Sequence, residues 1–169
     1  MIVDIQREQA PKNDGAEHLW KFMVVVDETP EFRRALRFAA LRAARIKGGV
    51  VLLNIIPPAD FQHWMAVENL MREEARQEMQ PFLDELVAEV RALAGITPEV
   101  VVREGKPQDE ILAQIEEDPD IHVLVLGAAS EENPGPLVSA FSGPMLRKIH
   151  IPVLFVPGSL TDEEIDRLI

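Results

Sequence analysis

Phe22-Met23-Val24-Val25-Val26-Asp27-Glu28-Thr29-Pro30 runs a short, uninterrupted apolar stretch directly into a helix start. An unbroken run rich in β-branched residues suits a strand covered on both faces, as in a parallel sheet, rather than a half-exposed strand with alternating polarity. Thr29 reads as an N-cap and Pro30 as the first helical residue, whose missing N–H costs nothing there. Apolar residues recur at Phe32, Leu36, Ala39, Ala40, Ala43 and Ile46, and Gly48-Gly49 is expected to end the helix.

The same unit repeats along the chain. Further apolar runs lie at Val50 to Ile56, Val100 to Val102, Ile121 to Leu126 and Ile151 to Val156. Helical patterns fill the gaps. The second, from Trp64 on, carries Met71, Ala75, Met79, Phe82, Leu86, Val90 and Leu93 on one face, with Pro81 predicting a kink or break and Gly95 a stop. Pro107 opens a third helix containing Ile111, Leu112 and Ile115. A fourth follows Asn133-Pro134-Gly135-Pro136 and is interrupted at Gly143-Pro144. Strict β-α alternation predicts an α/β fold, an open doubly wound, Rossmann-like parallel sheet of five strands. Residues 1–19 read as an N-terminal arm, 20–157 as the domain, and 158–169 as a helical tail with a Thr161/Glu164 capping box and an apolar side of Leu160, Ile165, Leu168 and Ile169.

Composition narrows the function. The 169 residues contain no Cys, which removes disulfides, thiol nucleophiles and Cys-based metal sites. No apolar run approaches the roughly 20 residues of a membrane span, and the polar N-terminus does not read as a secretory signal, so a cytoplasmic protein without membrane contact is expected. The net charge of -12 opposes nucleic-acid binding. That charge is uneven: residues 30–47 hold six basic side chains against Glu31, a local +5 that leaves -17 for the remainder. This basic helix reads either as a solvated face or as a contact for an anion or partner. The four His have no metal-ligand spacing, and neither a G-x-S-x-G elbow nor a Walker A sequence is present, so no catalytic or metal residue is assigned. Trp64, with Phe61 and Met65, is a candidate lid or a plain packing cluster.

Ligands of doubly wound sheets sit beyond the carboxyl ends of the strands, where strand order reverses. If the first strand neighbours the fourth, Asp27-Glu28-Thr29 meets Gly127-Ala128-Ala129-Ser130 there, with Ile55 and Ile56 close by. Asp27 can accept from a ribose or base, or can serve the turn, and Gly127 permits close backbone approach. Pro136 at a helix start would leave the N–H groups of Leu137, Val138 and Ser139 as donors for a small anion or for water.

Val24-Val25-Val26-Asp27, Leu52-Leu53-Asn54-Ile55, Val102-Arg103-Glu104-Gly105-Lys106-Pro107, Val123-Leu124-Val125-Leu126-Gly127 and Ile151-Pro152-Val153-Leu154-Phe155-Val156, in this order and spacing, resemble the universal stress protein (UspA-like) domain over about residues 20–157. The resemblance implies strand order 3-2-1-4-5 in an adenine nucleotide alpha hydrolase-like fold. It also implies a cytoplasmic stress role and a homodimer along the last strand, through Ile151, Val153 and Phe155. One branch of the family binds ATP; there the residue matching Asp27 and the backbone near Ile55 hold the nucleoside, and a Gly-x2-Gly-x9-Gly-Ser/Thr loop cradles the phosphates. This chain keeps the first glycine as Gly127. Ser130 and Ala140 stand where the second and third fall, Ser139 and Ser142 lie near the motif's end, and Glu131 and Glu132 bring negative charge to the loop.

The resulting expectation is a homodimeric regulatory or binding module of the stress response, with an unknown protein partner and without clear catalysis. The alternative is an ATP-binding stress protein with a degenerate phosphate loop, using Asp27, Ile55, Gly127, Ser139 and Ser142.

Overall fold

A computed structural model describes residues 18–58 and 65–169. The elements alternate as β1 (Lys21–Val25), α1 (Pro30–Ile46), β2 (Gly49–Ile56), α2 (Met65–Ala94), β3 (Glu99–Glu104), α3 (Pro107–Glu117), β4 (Ile121–Ala128), α4 (Pro136–Phe141), a 3-10 turn (Pro144–Arg147), β5 (Val153–Pro157) and α5 (Asp162–Arg167). All strands pair in parallel, in the order β3-β2-β1-β4-β5. The expected fold class and strand order are therefore present. The proposed lid of Phe61, Trp64 and Met65, the arm up to Glu17, and His63 lie outside the described residues or side chains.

Two apolar layers sandwich the sheet. Val24, Val50 and Leu52 face α1 and α2 with Phe32, Leu36, Leu86 and Val90, while Met23, Val51, Leu53 and Leu124 face α3 and α4 with Ile111 and Phe141. Neighbouring strand residues thus enter opposite layers, which is why these strands read as unbroken apolar runs.

Several local expectations shift. Lys47, rather than a glycine, takes the left-handed position that ends α1, at φ 56°. Gly48 is required for a different reason: a Cβ there would lie 2.3 Å from the Trp20 carbonyl oxygen. Ile46 is exposed rather than buried. Pro81 neither ends nor splits α2, which runs through it. Both Pro81 and Gln77, whose carbonyl loses its helical partner, are exposed, so water can serve that oxygen. Met71 is also exposed, and α2 enters the core only from Met79 onward, with Leu83, Leu86 and Val90 fully inside. Val100 is exposed because β3 is an edge strand.

Half of the basic side chains of residues 30–47 pair with carboxylates inside the molecule. Arg33 pairs with Glu85 and Glu89 of α2. Arg34 pairs with Asp162, and Arg37 makes a two-pronged contact with Asp166, both N–O distances being 2.8 Å. Arg45 donates to the Ile169 carbonyl. Asp162 and Asp166 orient α5 on α1, and Ile165 is fully buried beneath it. The capping box is formed as expected: the Thr161 hydroxyl accepts from the Glu164 N–H, and the Glu164 carboxylate accepts from the Thr161 N–H. Leu160 packs on the core, whereas Leu168 is exposed.

One contact fixes α1 to the sheet. A Cβ on Gly127, in β4, would lie 2.2 Å from the carbonyl oxygen of Glu31, in the first turn of α1. Gly127→Ala is therefore expected to lower stability by about 1–3 kcal/mol through overpacking, read as a fall in the thermal midpoint; an unchanged midpoint would show that α1 can yield.

The α5 clasp has its own signature. The Arg37 guanidinium, donating to Asp166, holds that carboxyl below its ordinary range. A carboxyl depressed in the folded state stabilises fully above its unfolded value and stops doing so as pH falls through its folded value. Hydrogen-exchange protection of α5 should consequently fall on acidification before that of the central strands. At neutral pH, Ile165→Ala should remove about 2 kcal/mol or more of that protection. Protection of α5 that is indifferent to both changes would mean that other contacts hold it.

Candidate functional site

A cleft of about 540 Å³ opens beyond the carboxyl ends of β1, β2 and β4, within the range of roughly 300–1,000 Å³ usual for small-molecule sites. β1 continues into its floor: the Val26 N–H donates to the Leu53 carbonyl oxygen at 2.8 Å, extending the pairing with β2 one residue beyond the strand. Val25, Val26, Ile55 and Leu126 make this floor apolar. One wall is the start of α3, with Lys106, Pro107, Gln108 and Asp109; the opposite wall is the Pro134-Gly135-Pro136 turn with Leu137 and Val138 of α4. The first turn of α1 closes the back through Thr29, Glu31 and Phe32.

Asp27 stands at the rim and serves the turn that caps α1. Its Oδ1 accepts from the Glu28 N–H at 2.7 Å, and its Oδ2 accepts from the Thr29 hydroxyl at 3.3 Å. That hydroxyl in turn accepts from the Phe32 N–H at 3.4 Å. Asp27 thus terminates the cap network of α1. Each carboxylate oxygen has a second lone-pair direction, so an exposed Asp27 can still accept from a ligand hydroxyl.

Asp27, Ile55 and Gly127 come together in this one cleft. Ser139 and Ser142 do not join them: both are exposed and neither lines it. The Ser139 N–H donates to the Gly135 carbonyl oxygen, and the Ser142 hydroxyl donates to the Val138 carbonyl oxygen at 2.6 Å. Of the three N–H groups expected at the start of α4, only those of Leu137 and Val138 therefore stay outside the helical pattern. Ala140, where the third motif glycine falls, is a buried residue of α4 next to Phe141. Glu131 and Glu132 are exposed and off the cleft lining. Gly127 itself answers first to packing, because the backbone of α1 fills the space a side chain would need.

The α3 wall was not assigned from sequence. Its signal was the Gly105-x-Pro107 turn. Gly105 takes φ +148°, a Cβ there would meet the Glu110 side chain at 2.5 Å, and Pro107 opens α3 at the same sheet end as Asp27. Behind this wall Arg103 is bound by Glu110 and Glu117, whose hydrogen bonds raise its basicity and lower that of Glu117.

Two of the described histidines, His18 and His122, are engaged by neighbouring groups, while His150 is exposed. His122 Nδ1 lies 2.6 Å from the Asp120 carbonyl oxygen and its ring stacks on Trp20 at 4.4 Å; His18 contacts Asp120. Among the described residues no group of His, Asp and Glu could hold a metal ion, and no helix is long and apolar enough to cross a membrane.

A comparison with curated proteins finds no match. Among solved structures, the universal stress protein UspA from Lactobacillus plantarum is similar with a TM-score of 0.64 at 14% identity, covering 82% of this chain and 98% of its own. A universal stress protein in complex with cAMP gives 0.60 at 19% identity, covering 82% and 97%. One from Archaeoglobus fulgidus in complex with dAMP gives 0.52 at 19% identity, covering 81% and 96%. At these identities the likeness speaks to the fold. The family model described as the Universal stress protein family matches residues 20–157, from just before β1 to the end of β5. With the sheet order and a domain-length match in agreement, this chain belongs to the universal stress protein family.

Proposed function

We propose that this domain is a non-catalytic binding module of the stress response whose cleft takes an adenine nucleotide and which works as a homodimer. The observation that carries the nucleotide reading is the convergence of Asp27, Ile55 and Gly127, far apart in sequence, on one cleft at the strand-order reversal between β1 and β4. The apolar floor suits a purine face, and Asp27 at the rim suits ribose hydroxyls. The structurally similar proteins that hold cAMP and dAMP support the ligand class.

Protein denatured after purification should release adenine nucleotide, detected by absorbance and mass, and the emptied form should bind it calorimetrically. Asp27→Ala should weaken that binding about tenfold or more, as expected for losing a charge-assisted hydrogen bond. No released nucleotide and no heat at millimolar ligand would end the reading; binding indifferent to Asp27→Ala would move the site elsewhere.

The dimer reading rests on β5, which pairs with β4 on one side only. Ile151 and Val153 are half-buried there and Phe155 is exposed. An open strand edge with apolar side chains invites a second copy. Val153→Asp should place an unpaired charge in that contact and shift the light-scattering mass from dimer to monomer. A monomeric parent protein would refute the dimer.

A further inference from the structure

We propose that the cleft selects an adenine nucleotide with one phosphate over one with three, and that Lys106 is the group that meets the phosphate; this rests on the reading that the cleft takes an adenine nucleotide. The charged groups lining it are Asp27, Glu31 and Asp109 against Lys106, the one cation among the described lining residues. Lys106 has no carboxylate partner within ion-pair distance among the described residues, unlike Lys21, Arg33, Arg37, Arg72 and Arg103. Its backbone is fixed, because its carbonyl oxygen accepts from the N–H groups of both Asp109 and Glu110 at 3.0 Å. A flexible four-carbon stem with three donors therefore extends from a rigid point at the rim.

The opposite wall offers no cation to further phosphates among its described lining residues. Pro134 and Pro136 have no N–H to give. The N–H of Ala129 is held by the Pro134 carbonyl oxygen, that of Gly135 by the Asn133 side chain at 3.1 Å, and that of Ser139 by the Gly135 carbonyl oxygen. Three of the loop's backbone donors are thus closed on themselves, and the uncharged N–H groups of Leu137 and Val138 are what this wall leaves open to the cleft. One phosphate can meet Lys106. The added charge of a triphosphate finds no second cation and lies among three carboxylates, where like charges at short range repel.

Calorimetric titration of the full chain with adenosine, AMP and ATP, in buffer containing Mg²⁺, tests this. AMP should bind tightest, with ATP weaker by about tenfold or more, the scale of one charge-assisted contact. In Lys106→Ala the ratio of AMP to adenosine affinity should fall toward one, and Lys106→Arg should restore it. ATP binding as tightly as AMP, or an AMP-to-adenosine ratio unchanged in Lys106→Ala, would overturn the proposal while leaving the nucleotide reading in place. Absence of binding by adenosine and AMP alike would instead remove the reading beneath it.

Discussion

The contact between Gly127 and the first turn of α1 sets the geometry on which the rest depends. Backbone meets backbone there, with no room for a Cβ between β4 and the Glu31 carbonyl. That closeness brings the end of β1, its cap and the end of β4 to one point. It therefore places Asp27 and the α4 wall on two sides of the same cleft. Gly158 repeats the device at the exit of β5: its N–H donates to the Ala128 carbonyl at 2.7 Å, and a Cβ there would meet Glu31 at 3.0 Å. The chain after β5 is thereby directed back over α1.

The charge distribution and the C-terminal helix explain one another. In sequence the +5 of residues 30–47 and the acids of residues 162–166 lie far apart. In the fold they are one interface, with Arg34 and Arg37 on one side and Asp162 and Asp166 on the other. Exposed ion pairs are individually weak, so the buried Ile165 holds α5 and the pairs orient it.

The fold was legible because the strands are covered on both faces, and such strands read as unbroken apolar runs whatever their place in the sheet. Helix starts were equally legible at Thr29, Pro107 and Thr161, since a helix start is decided by residues a few positions apart. What misled was tertiary. Lys47 could take the left-handed turn that Gly48 was expected to take, because Gly48 was reserved by the Trp20 carbonyl. Pro81 could stay inside α2 because its turn faces water. Met71 has helical spacing but lies on the half of α2 that precedes the core. In the site, Asp27, Ile55 and Gly127 follow from topology, since each ends a strand that reaches the same sheet end. Ser139 and Ser142 were placed by spacing along a loop, and spacing cannot reveal that their groups are turned to local partners. Lys106 escaped because a lysine at a helix start carries no signal until the facing wall is known.

The internal pairing of α1 also governs how other molecules approach. Arg33, Arg34 and Arg37 lie against Glu85, Glu89, Asp162 and Asp166, so their fields largely cancel a short distance from the surface. An incoming molecule therefore meets mainly the field of the whole chain, set by its net charge of -12, with the exposed Arg42 and Lys47 as local positive points near the end of α1. Encounters with basic partners are accelerated by that field and slow as salt is added, while free polyanions are repelled before they reach any surface detail.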